Sequence, residues 1–244
     1  QLTEFDAATR STQIHASGRL SSHAALKISV ESSNVAELQP VIASLGYTKL
    51  PIFRQGNISF NGSAAGKLSA YSIYGVLKAE DFTVAFPSAR KNAPQVSHWD
   101  SFRALLQFSP EVVSLRNAAL KNGNANIDFD LSASLVDGRM LPQSPFSLRL
   151  DLQAADLQNL LQLTGYECPA TGRADLTLRL SGTQADPHGE GAIVLRDADI
   201  YHQQIRRLNA DLRFIRRQAE VNNIRLWFYG GTAKGGMLYD LHSR

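Results

Sequence analysis

The chain has 244 residues, 43% of them hydrophobic and 19% charged, which are the proportions of a folded protein with a sizeable core and not of a disordered one. A formal net charge of +3 is too small to imply a nucleic-acid partner. The single cysteine, Cys168, excludes an internal disulfide framework and a cysteine-rich metal site.

Strand signals dominate from the N-terminus. In "TQIHASGRL", Ile14, Ala16, Gly18 and Leu20 share one face; in "ALKISV" it is Leu26, Ile28 and Val30, and in "NISFNG" Ile58 and Phe60. "NANIDFDLSASL" alternates strictly through Ala125, Ile127, Phe129, Leu131, Ala133 and Leu135, and "FSLRLDLQA" through Phe146, Leu148, Leu150 and Leu152. "TGRADLTLRLSG" puts Ala174, Leu176, Leu178 and Leu180 opposite Arg173, Asp175, Thr177 and Arg179. "GAIVLRDADI", "RLNADLRF" and "AEVNNIRLWFYGG" follow, separated by the Asn, Asp and Gly turn pairs that hairpins require.

Two segments follow a helical period instead. "NVAELQPVIASLGY" carries Leu38, Val41, Ile42 and Leu45 at helical spacing, with Asn34 and Glu37 as a capping box and Gly46 as a stop. Pro40 limits or kinks that helix. "ADLQNLLQLTGY" repeats the arrangement with Leu157, Leu160 and Leu161, Asp156 as N-cap and Gly165 as stop.

The two segments belong to one unit used twice. Gly46–Tyr47 and Gly165–Tyr166 correspond, as do Asp81 and Asp197, and Glu111 and Glu220. The expected organisation is repeat unit 1 over 1–140, with a helix at about 34–46, and repeat unit 2 over 141–244, with a helix at about 156–165. Each unit is expected to be an open, twisted antiparallel sheet with one short amphipathic helix. No membrane-length apolar run or signal peptide is visible. The chain begins at Gln1 and stops inside a strand-like pattern, so it reads as a piece of a longer protein truncated at its C-terminus.

Little in the sequence suggests catalysis, and the chain reads as non-enzymatic. Asp186, His188 and Glu190 in "DPHGEG" have metal-ligand spacing but sit where an exposed turn is expected. His98, Asp100 and Ser101 in "SHWDS" lack a nucleophile elbow; the segment reads as a strand with Trp99 inward. "GSAAGKLS" has three residues between Gly62 and Gly66 and Leu68 after Lys67, so it is not a phosphate-binding loop. No cofactor and no metal site is expected. Cys168 reads as a small hydrophobe. Arg206, Arg207, Arg213, Arg216 and Arg217, with Arg225, form a basic cluster that reads either as a rim for phospholipid headgroups or as a solvated hairpin tip. In "RLWFYGG", neighbouring Trp227, Phe228 and Tyr229 cannot share a face, so an exposed aromatic is expected.

The phrases "GNISFNGSAAGKLSAYSIYGVLKAEDF", "GRADLTLRLSGTQADPHGEGAIVLRDADI" and "LNADLRFIRRQAEVNNIRLWFYGGTAKGGMLYD" resemble the AsmA-like superfamily, most closely its translocation and assembly module branch. The resemblance runs from about Gln13 to Tyr239. It implies an elongated, curved β-sheet trough with an apolar inside, in the periplasmic part of an inner-membrane-anchored protein of a diderm bacterium. It also implies a role in moving phospholipid toward the outer membrane, with an outer-membrane β-barrel assembly protein as a further partner.

The lining would be Ile58, Phe60, Ile127, Phe129, Leu131, Leu148, Leu150, Leu176, Leu178 and Leu180, and its ligands phospholipid acyl chains. Each buried methylene is worth roughly 0.8 kcal/mol to such a ligand. Two other readings stay open. One is a structural or adhesive spacer whose apolar faces close into a dry core, with neighbouring repeats of the same chain as partners. The other is a scaffold that assists outer-membrane β-barrel assembly and secretion by strand addition.

Overall fold

The structure, a computed structural model, describes residues 4–19, 24–39, 52–67, 70–86, 95–163, 169–183, 185–216 and 218–240. The chain is mainly β. Its strands are β1 Glu4–Ala8, β2 Thr12–Arg19, β3 Ala24–Ser32, β4 Ile52–Lys67, β5 Ala70–Phe86, β6 Gln95–Phe108 and β7 Val112–Asn122. They continue with β8 Ala125–Ser134, β9 Phe146–Asp156, β10 Ala170–Gly182, β11 Pro187–Ile200, β12 Gln203–Ile215, β13 Gln218–Phe228 and β14 Gly231–Asp240. Strand order is sequence order with no crossover.

The chain divides into two compact units, Gln1–Asn122 with Ser132–Leu141, and Gly123–Leu131 with Pro142–Arg244. In the first, β1 to β7 pair antiparallel in succession. In the second, β9 to β14 do the same. The division does not fall cleanly at residue 140, because β8 contributes to both units.

The two expected helical segments are described to different extents. Val35–Leu38 is a 3-10 turn, and positions 40–51, with Pro40, Val41, Ile42, Leu45, Gly46 and Tyr47, lie outside the described residues. Asn34 caps it as expected, its side chain accepting from the Ala36 N–H at 3.2 Å. The capping box does not close. The Asn34 N–H donates to Ser32 Oγ, while Glu37 accepts from Thr9 at 2.6 Å and Ser11 at 2.9 Å, with Thr12 Oγ1 3.0 Å away. These hydroxyls hold the Glu37 carboxyl below its ordinary value and tie the turn to the β1–β2 loop.

The second segment forms helix α1, Leu157–Leu163, capped by Asp156, which accepts from the Asn159 N–H at 3.1 Å. Leu157, Leu160 and Leu161 pack on one cluster with Ala170, Ala174, Leu195, Ala198 and Ile205, and with Leu208 and Leu226 at its margin. Gly165, Tyr166 and Cys168 lie outside the described residues.

Both units carry the same irregularity at the same place. Asp81 on β5 and Asp197 on β11 have φ of 49° and 47°, and the ladder to the preceding strand slips beside each. Asp tolerates this left-handed conformation better than most residues, which suits it to a β-bulge. Facing the bulges stand Gly56 and Gly172, at φ of 125° and 126°. A Cβ on Gly56 would fall 2.4 Å from Phe82 Cβ, and one on Gly172 would fall 2.6 Å from Ala198 Cα.

A second matched bulge holds Asn117 on β7 and Asn223 on β13, at φ of 49° and 52°. This match corrects one expected correspondence. Aligning the bulges sets Glu220 level with Ser114 instead of Glu111, which lies in the turn before β7.

Candidate functional site

Period-two alternation gives unit 2 one apolar and one polar face, and strand register arranges each into rows. On the apolar face, one row runs Leu148–Leu180–Gly189–Phe214–Ala219 and the next Leu150–Leu178–Gly191–Leu212–Val221. A third runs Leu152–Leu176–Ile193–Ala210, and beyond it lie Ala155, Ala174, Leu195, Leu208 and Leu226.

These rows are covered unequally. Around α1, Leu157 is 6% exposed, Leu195 6% and Ala174 0%. Leu148, Leu150, Leu178, Leu180, Leu212, Phe214 and Val221, farther from the helix, are each half-buried. The apolar face is therefore dry at one end and partly open at the other, with Leu176 at the change, half-buried beside buried Leu152.

The other expected lining residues behave similarly. Phe129 and Leu131 are half-buried and Ile127 is buried at 9% exposure, alternating with exposed Asp128 and Asp130. In unit 1, Ile58 and Phe60 are half-buried; they pair with Ala79 and Leu77 on β5, and Phe60 with Val30 on β3.

The arginine cluster divides between the two ends of the unit 2 sheet. Arg206 and Arg207 lie at the start of β12, level with the end of β13 that carries Arg225 and Trp227, whereas Arg213 and Arg216 lie at the far end. Arg217 lies outside the described residues. In place of one contiguous rim, register builds a different group on the polar face. Arg173 pairs with Arg196, Arg196 with Arg207, and Arg207 with Trp227. Like charges directly opposite one another on neighbouring strands destabilise a sheet, and here Asp156 on β9, opposite Arg173, and Asp175, bound to Arg196, offset part of that repulsion.

Asp175 binds Arg196 in a close ion pair and accepts the Ala154 N–H at 2.9 Å, and Arg207 Nε donates to Asn209 at 2.9 Å. The equivalent row of unit 1 reads Asn57–Glu80–Ser101–Lys121. The sequence reading missed the arginine row because its members are scattered; only register brings them together.

Pro187–Glu190 belong to β11 and not to a turn, and His188 and Glu190 are exposed. Trp99 is buried at 6% exposure, as its strand alternation requires, and His98 Nε2 lies 3.6 Å from Asp81 and 3.5 Å from Asp100. Phe228 and Tyr229 supply the exposed aromatics, at 38% and 81%.

Glu4, Asp6 and His15 bring three exposed ligand-type atoms together where β1 meets β2, and the 2.7 Å contact to Asp6 raises the His15 pKa. A shallow polar cavity of about 500 Å³ on unit 1 is lined by Arg10, Glu31, Asn57, Lys78 and Glu80 among others, with balanced charge. No protein-family model, curated protein or solved structure matches the chain.

Proposed function

We propose that this chain is a segment of a periplasm-spanning bridge of the AsmA-like type, most like the translocation and assembly module branch, and that it works without catalysis. Its apolar sheet face would shield phospholipid acyl chains passing from the inner toward the outer membrane, in a protein anchored in the inner membrane. The observation that carries this reading is the uncovered end of the unit 2 apolar face. There Leu148, Leu150, Leu178 and Leu180 stand half-buried in adjoining rows. A contiguous apolar surface of that kind requires a cover, and an acyl chain supplies one without precise placement of any residue.

A second reading, a spacer with a dry core, is favoured by α1, which closes the other end of the same face over Ala174 and Leu195. Native mass spectrometry of the chain purified from bacteria, followed by solvent extraction and lipid analysis, separates the two. Co-purified phospholipid near one equivalent is the expected result. A lipid-free protein that takes up no fluorescent fatty acid would leave the spacer reading in its place.

A further inference from the structure

We infer that the α1 end of the unit 2 sheet is a docking surface for an anionic phospholipid bilayer, met tip-on. This goes beyond the apolar lining and does not rest on it, because the groups involved lie on the polar face and at the hairpin tips.

Two hairpins end on this side. The β11–β12 turn presents Tyr201 at 63% exposure, and the β13–β14 turn presents Tyr229 at 81%, and Ile205 pairs with Phe228 between them. Aromatic rings with a polar end favour the membrane–water interface, where one part is apolar and the other wet. Behind these tips runs the Arg173–Arg196–Arg207 row, ending on Trp227.

From Trp227, level with Arg207, to Tyr229 is two residues, or roughly 7 Å of strand. That is comparable to the roughly 5–8 Å headgroup layer on each side of a bilayer. Tyrosines seated at the base of the headgroups would set the guanidinium groups among the phosphates, which their fork geometry fits.

Among the described residues, charge at this end is mixed but net positive. Arg206, Arg225 and Lys234 join the row, against Asp156, Asp175, Asp197 and Asp199. Two of these carboxylates already have protein partners: Asp156 caps α1 and Asp175 holds Arg196. Unit 1 supplies an internal contrast, since its matching row, Asn57–Glu80–Ser101–Lys121, carries one cation and one carboxylate. The bulged scaffold therefore does not itself demand a row of arginines.

The test is co-sedimentation of the whole chain with vesicles of phosphatidylcholine alone or mixed equally with phosphatidylglycerol. Binding at least tenfold stronger to the mixed vesicles, and reduced by salt, is expected. The Arg173→Gln/Arg196→Gln/Arg207→Gln variant should lose about a hundredfold of it. Because Arg196 also pairs with Asp175, Arg173→Gln/Arg207→Gln is measured beside it and should lose about thirtyfold while unfolding like the parent. Tyr201→Ser/Tyr229→Ser should weaken binding but retain its salt dependence.

Equal binding by the folded double-arginine variant would overturn the proposal, as would equal affinity for neutral and anionic vesicles. So would binding to soluble polyglutamate with none to vesicles, which would assign the row to an acidic polypeptide.

Discussion

Unit 1 and unit 2 set an aspartate in the left-handed conformation at the same point of the ladder, opposite a glycine with nearly the same φ. Beside that shared bulge one unit carries Asn57, Glu80, Ser101 and Lys121, and the other carries Arg173, Arg196, Arg207 and Trp227. The comparison separates two layers of information. Backbone irregularities, fixed by Gly and Asp at positions where other residues clash or strain, are common to both units. The chemistry of the polar face is not.

The sharpest way to break the comparison is at the glycines. Gly56→Val and Gly172→Val each force a side chain into backbone and Cβ atoms of the facing strand and into a disfavoured φ. Each should cost roughly 3 kcal/mol or more, read as a lower thermal midpoint. If only one of them destabilises, the bulges are not equivalent.

The covered and open ends of the apolar face should respond differently to charge. Leu195→Asp buries a carboxylate under α1 and should cost about 3–4 kcal/mol in denaturant unfolding. Leu178→Asp, at a half-buried site, should cost about 1 kcal/mol while abolishing co-purification of phospholipid. Asp175→Asn removes the partner of Arg196 and leaves the Ala154 N–H a weaker acceptor, for a loss of about 1–2 kcal/mol.

A smaller effect concerns Glu37 in unit 1. Its folded pKa lies below the ordinary 4.5, so its hydroxyl contacts stabilise fully above pH 4.5 and are lost as pH falls through the folded value. Protection factors of the Ala36 and Glu37 amides, corrected for intrinsic exchange, should fall over that acid range before those of the β-sheet amides do, and Glu37→Gln should remove that pH dependence.

Much of this architecture was legible in the residues. Strict alternation in 172–180 and 125–135 announces strands with one apolar face, and Asn34 and Asp156 cap helical segments as their types require. Trp99 is buried between two exposed neighbours for the same period-two reason. Glu37 went elsewhere than its capping box because three hydroxyls from the β1–β2 loop compete for it, and that contact is nonlocal.

The basic cluster failed as one site for a related reason. Residues 206 and 213 are close in sequence, but an extended strand carries them roughly 20 Å apart. Arg173 and Arg207, far apart in sequence, are joined through Arg196 by register alone. A site assembled across strands leaves no local spacing to read.

The apolar face of unit 2 is open beyond α1 and closed beneath it. A photoreactive benzophenone residue placed singly at Leu178 and at Leu195, in chain expressed in bacteria, tests it directly. A phospholipid adduct by mass is expected at Leu178 and none at Leu195. Absence of lipid at Leu178, with crosslinks only to the chain itself, would contradict it.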